Sequence, residues 1–195
     1  MGTSRMSSTR SDTVRNRRRL LDAAGGLLRE APDTVTVPAV ARQAGLSPAT
    51  AYRYFSDLEQ LRVAYLHDVV AALRDYSQAC PASGADLFEK TVHEWGRLIE
   101  QHGTAMVQLR SRRGFLERLH DNDKVVATVR DAWERPILEV MTTLNIPAGY
   151  FERALQLCNL LVDPREILDL LGTGMTMPHV LEHLTNTYYG AIAAW

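Results

Sequence analysis

Thr36–Leu61 reads TVPAVARQAGLSPATAYRYFSDLEQL, and the rest of the chain is organised around it. Thr36 is a good N-cap, and Pro38 falls in a first helical turn, where a missing N–H costs little. Val40, Ala41 and Ala44 form one apolar face. Gly45 ends that helix in the left-handed conformation that only glycine adopts cheaply, and Leu46 plugs the turn. Ser47 and Pro48 then start a second short helix with a capping hydroxyl and a preset φ. Two short helices joined by a glycine turn predict a helix-turn-helix at about residues 37–56. The second helix of such a motif can lie in the major groove of DNA.

Charge is distributed to match. The 195 residues carry a net charge of −1. Residues 1–56 hold nine arginines, no lysine and four acids, a net +5, whereas residues 57–195 hold 13 bases against 19 acids, a net −6. A basic front on an acidic body directs polyanions to the front alone. Apolar content of 46% and charged content of 23% belong to a globular chain with no membrane span. No apolar segment follows the N-terminal arginines, so no signal peptide is read and a cytoplasmic location is expected. Two cysteines, Cys80 and Cys158, are too few for a disulfide framework.

Residues 1–12 are Ser, Thr, Arg and Gly without periodicity, and a disordered basic arm is expected. Arg5 and Arg10 suit either a DNA-tracking arm or a plain flexible tail. The first helix is predicted over Thr13–Glu30, with Leu20, Ala24, Leu27 and Leu28 on one stripe. Arg15, Arg17, Arg18 and Arg19 crowd its first turns, which the helix dipole disfavours and phosphate would relieve. A fourth helix runs from Asp57 to about Ala79. Everything beyond also reads as helix. One is centred on Phe88, Trp95 and His102, and another is read over Thr104–Leu119, with Gly114 its weak point. A third spans Asp123–Leu144, with a kink expected at Pro136. Two more cover Tyr150–Val162 and a short stretch after Asp163-Pro164, and the last begins near Met177. No alternating strand pattern occurs.

The run RRLLDAAGGLLRE, followed by the opening stretch, resembles the N-terminal DNA-binding domain of the TetR-type transcriptional regulators. The resemblance spans about Arg15–Leu66. It rests on Ala23-Ala24, Val40-Ala41, Ala44-Gly45-Leu46-Ser47, Tyr52-Arg53-Tyr54-Phe55 and Leu61. It implies an all-α fold in which a three-helix head is joined by a long fourth helix to a larger helical ligand-binding and dimerisation domain. The expected divisions are an arm at 1–12, a DNA-binding domain at 13–56 and a helical domain at 57–195. The function implied is a sequence-specific, ligand-responsive regulator, most simply a repressor released from its operator by a small molecule. A TetR-like ligand- or partner-binding module that no longer reads DNA is the alternative.

The resemblance also assigns roles. Pro48, Ala49 and Thr50 would face base edges, and Tyr52 and Tyr54 would hold phosphates. Arg53 would contact either, and Thr36 and Ser47 would sit at phosphate-binding helix starts. Arg17 and Arg18 join this set, while Leu46 and Phe55 would be buried. Three departures from the family pattern bear on affinity: Ala51 stands for a larger aliphatic residue, Leu58 for a lysine, and Ala31-Pro32 for a glycine. A two-fold dimer on a pseudo-palindromic duplex is implied, with half-sites roughly 34–36 Å apart. Its expected face is Phe151, Leu155, Cys158, Leu181, Leu184 and Tyr188.

An effector pocket is implied between the fourth and seventh helices. Its candidate lining is Tyr65, Val69, Trp95, Ile99, His102, Met106, Arg110, Trp133, Ile137 and Met141, though for each of them ordinary core packing is the stronger reading. His179 and His183 stand at metal-binding spacing without a completing ligand, so no metal site is expected. No catalytic constellation is found and no enzyme is implied, nor any cofactor besides the unidentified effector.

Overall fold

The computed structural model describes residues 4–31, 34–108 and 113–195, the side chains of residues 4–11 and 108 excepted. Every regular element among them is helical: α1 (Ser4–Glu30), α2 (Val37–Gln43), α3 (Pro48–Tyr54), α4 (Leu58–Ala79), α5 (Gly84–Gln108), α6 (Phe115–His120), α7 (Lys124–Thr143), α8 (Phe151–Leu161), α9 (Pro164–Gly172) and α10 (Met177–Ile192). A 3-10 turn, Ala148–Tyr150, precedes α8. None of these helices is long and apolar enough to cross a membrane. The chain divides into two compact units, Met1–Leu66 and His67–Trp195, with the seam inside α4.

The first unit is a small bundle of α1, α2, α3 and the first turns of α4. Leu20, Ala24 and Leu28 of α1, Val40 and Ala41 of α2, and Leu61 of α4 are fully buried. Tyr65 packs against the glycine face of α1: a Cβ at Gly25 would meet its ring at 2.8 Å, so only glycine admits the tyrosine there. Burial pushes the Tyr65 hydroxyl above its usual pKa, and the charge of Arg29 partly opposes this.

α1 begins at Ser4, inside the stretch expected to be a disordered arm. Helix propagation costs far less than nucleation, so a helix started on the Leu20–Leu28 stripe runs back through residues that would not start one. The arginine conflict is thereby removed, because Arg15–Arg19 lie three turns from the helix start and beyond reach of its dipole. Arg15 pairs with Asp12 at 3.4 Å and Arg18 with Asp22 at 2.9 Å.

The second unit is built on α5, which lies along α7, α9 and α10, while α8 closes against α7 and α10. Phe88 is its aromatic centre, stacked on Tyr188 at 4.8 Å and tilted against Trp133 at 5.8 Å. The break expected near His102 does not occur, and α5 runs on to Gln108. Gly103 serves close packing instead: a Cβ there would stand 3.1 Å from Leu168 of α9. Gly114 is the N-cap of the short α6, so the predicted Thr104–Leu119 helix is not one element. α7 continues through Pro136. It ends where Asn145 takes φ +56° and Ile146 N–H donates to the Met141 carbonyl at 2.8 Å, a left-handed C-terminal cap that asparagine tolerates.

One polar cluster ties α7 to the turn after α4. The Arg135 guanidinium donates to the carbonyls of Ser77 (3.2 Å), Cys80 (2.9 Å) and Ala82 (2.7 Å), and its Nε to Glu139 (3.0 Å). The other Glu139 oxygen accepts from Gly84 N–H at 2.5 Å, and Gly84 holds φ +58°. The open C-terminal carbonyls of α4 thus find their donors on α7.

Candidate nucleic-acid interface

Local caps set the two helices of the motif. The Thr36 hydroxyl accepts from Ala39 N–H at 3.2 Å, and Ser47 accepts from Thr50 N–H at 3.1 Å. Pro38 and Pro48 occupy the first turns of α2 and α3. Gly45 adopts φ +64° between them. Its neighbourhood is held by Arg19, which donates to the Ala44 carbonyl at 2.5 Å. Arg19 was not among the expected site residues. No sequence pattern marks it, since the contact depends on where α1 crosses the end of α2. Leu46 is half-buried rather than buried, because Ala44 and Phe55 already fill the core side of the turn.

α3 turns one side inward and the rest outward. Ala51 and the following Phe55 are buried, while Ser47, Pro48, Ala49, Tyr52 and Arg53 are exposed and Thr50 and Tyr54 half-buried. Tyr52 is 49% exposed, with its ring and hydroxyl on the surface of the unit. The Thr50 hydroxyl lies 2.8 Å from that of Ser47, so the capping pair engages it. Arg18 is exposed. Arg17 is half-buried with its guanidinium 5.8 Å from the centre of the Phe55 ring, which braces it beside α3. Thr36 is exposed at the start of α2. The expected interface residues therefore all lie on the first unit, and none of them is buried. At the C-terminal side, Asp57 caps α4 by accepting from Gln60 N–H at 2.8 Å. That bond, with one from the Ser56 hydroxyl, holds the Asp57 carboxyl below its ordinary pKa.

The other expected sites fare differently. Tyr65 belongs to the first unit and packs in its core, so it is withdrawn from the effector lining. Arg110 lies outside the described residues. Val69, Trp95, Ile99, Met106, Trp133, Ile137 and Met141 are all buried in the second unit. Trp95 spends its indole N–H on the Val162 carbonyl at 2.8 Å. His102 is half-buried. Of the expected dimer face, Phe151, Leu155, Cys158, Leu181 and Tyr188 point into their own unit. They cannot cover a partner, and only Leu184 stays partly exposed. Burial also pushes the Cys158 thiol far up from its ordinary pKa, which leaves it protonated and unreactive.

Two short capped helices joined at a glycine turn, in a unit rich in arginine, form a helix-turn-helix. Residues 20–65 match the model of the family described as bacterial regulatory proteins, tetR family. That match covers α2, α3 and the adjoining parts of α1 and α4, so this segment of the chain is similar to the DNA-binding part of that family. Solved structures share the fold over nearly the whole chain. The TetR-like transcriptional regulator LfrR from Mycobacterium smegmatis, in complex with proflavine, is 19% identical, with a TM-score of 0.58 over 91% of this chain and 96% of that one. A TetR-family regulator from Rhodococcus sp. gives 19% identity and 0.64 over 91% and 98%. Thermus thermophilus FadR, a repressor in complex with lauroyl-CoA, gives 20% and 0.55 over 88% and 92%. No curated protein matches the chain.

Proposed function

We propose that the chain is a homodimeric, ligand-responsive repressor whose α3 enters the major groove of a pseudo-palindromic operator. The observation that carries this reading is the outward row Pro48, Ala49, Tyr52 and Arg53 on a helix held by its caps. Pro48 and Ala49 offer no side-chain hydrogen bond. Sequence preference then falls to Arg53, to the Thr50 methyl and to DNA shape, while Tyr52, Tyr54, Thr36, Ser47, Arg17 and Arg18 hold the backbone.

Of the residues first expected at the dimer face, Leu184 is kept, and exposed or half-buried leucines of α8 and α9 join it. Leu160 of α8 is 52% exposed. It borders a groove of about 530 Å³ lined by Leu161, Leu170 and Leu184, with Asp163, Glu166 and Asp169 at its polar side. A second copy covering this apolar surface would bring two heads together, and one head alone offers too little contact for a regulator.

The effector side rests on α5 and α7. Trp95, Ile99, Met106, Trp133, Ile137 and Met141 form an aromatic and methionine-rich core that repacks around an apolar guest, with His102 as the polar group at its margin. Two of the similar folds are in complex with molecules that have a large apolar part, the aromatic cation proflavine and the acyl thioester lauroyl-CoA. A guest that shifts α7 moves the last turn of α4 through Arg135, and α4 is one unbroken helix into the head. The coupling requires the guest to bind the two states unequally.

The test begins with selection of bound duplexes from random DNA. Tyr52→Phe should weaken all sequences alike, and Thr50→Ala should change the preferred one. Were Tyr52→Phe to change only the preference, the assignment of roles would be wrong. A screen for small molecules that release the selected duplex then tests the effector.

A further inference from the structure

α10 buries Met177, Val180, Leu181, Thr185, Tyr188 and Ile192, and turns His179, Glu182 and His183 outward. The two histidines stand one turn apart. Their rings meet edge to face with centres 4.5 Å apart, and the two Nε2 atoms are 3.2 Å from each other. Two nitrogens that bind one zinc ion at about 2.0–2.1 Å and a tetrahedral angle lie about 3.3 Å apart. The pair already holds that separation on rigid helix.

The other side of His179 supports the same use. Its Nδ1 faces a Glu182 oxygen at 3.9 Å. At that distance the carboxylate makes no direct hydrogen bond, and it sets a negative charge beside the pair that favours a bound cation. The start of α10 is unfavourable for a cation, since a helix N-terminus carries partial positive charge. Glu182 offsets this with a negative charge one turn in. Among the described residues no third His, Cys, Asp or Glu closes a set around the pair. Remaining positions on an ion therefore fall to water or to donors of another molecule.

We propose that His179 and His183 form a two-imidazole clamp for a divalent transition-metal ion of the zinc, nickel or copper class on the outer face of α10. Imidazole selects these ions over magnesium and calcium, which want oxygen ligands. The site is separate from the interface on α3 and lies on residues the proposed effector core does not use. Its ion bridges two turns of the helix and keeps coordination positions open to solvent.

The experiment titrates nickel chloride and zinc chloride separately into the whole chain. Heat is recorded, and the imidazole proton–nitrogen resonances are followed in parallel. One ion per chain is expected, with His179 and His183 resonances shifting and those of His93 and His120 unmoved. Magnesium should neither bind nor compete. His179→Ala and His183→Ala should each weaken binding at least about tenfold, and Glu182→Gln, which removes only a nearby charge, less than either. All three side chains are exposed, so the variants should fold as the parent does. Unchanged binding in the His179→Ala/His183→Ala double variant would overturn the proposal, as would a parent protein that takes up neither ion and holds the pair by an N–H···N bond alone.

Discussion

α3 and α7 are both regular helices, yet they are kept in place by different means. α3 has seven residues and buries one of them, Ala51. α7 has twenty and buries nine, among them Trp133, Ile137 and Met141. A seven-residue helix does not stand alone in water, and burial does little for this one, so its order comes from Ser47, Pro48 and the docking of Phe55. That economy leaves most of α3 facing outward. α7 spends its surface on packing and has little left over. Recognition surface and packing surface compete for the same residues, and the two units settle the competition in opposite ways.

Substitutions in the two regions should therefore separate stability from binding. The largest loss is expected from Phe88→Ala, which removes a fully buried ring from between Tyr188 and Trp133. Its cost is about 3–5 kcal/mol in the second unit, read from urea unfolding. A loss below about 1 kcal/mol would mean that this aromatic cluster is not the centre of the unit. Arg135→Ala should cost about 2–3 kcal/mol, because several carbonyls and Glu139 lose a charged donor together. It should also blunt release from DNA by any effector found, and Arg135→Lys should restore little, lacking the planar fork. Full release by the Arg135→Ala protein would break the proposed link between α7 and α4.

In the head, Ser47→Ala should cost about 1 kcal/mol of stability. Its effect on DNA affinity should be the larger of the two, since it loosens the helix proposed to make the contacts; equal effects would erase the contrast between the regions. The smallest effect concerns acid. The Asp57 carboxyl has its pKa lowered by its bonds to Gln60 N–H and Ser56, so its contribution is present above the ordinary value of 3.8. It is lost as pH falls through the lower folded value. Asp57→Asn should therefore narrow the stability difference between pH 5 and pH 3, measured by unfolding at each pH. An unchanged difference would show that the cap does not titrate with folding.

What the sequence disclosed follows the same division. The head was legible because its signals are local: Thr36, Gly45, Ser47 and Asp57 each act within four residues, and each stands where the caps and turn were expected. In the body, apolar spacing located helices but not their neighbours. Gly103 looks like a break and is a point of close contact with Leu168. Phe151, Leu155 and Tyr188 look like surplus apolar surface for a partner and are absorbed by α5 and α7, because a helix apolar on several sides can be used up within one chain. Arg135 carries no motif at all, since its partners are backbone carbonyls 53 to 58 residues away.

The central claim is that a cationic head meets the phosphate backbone through α3 and the helix starts around it. The most direct measurement is the affinity of the chain for a selected duplex as salt rises from about 50 to about 200 mM. Two heads with several phosphate contacts each predict a fall of about 10³–10⁵-fold, linear in the logarithm of salt. An affinity that stays level over that range would contradict the account.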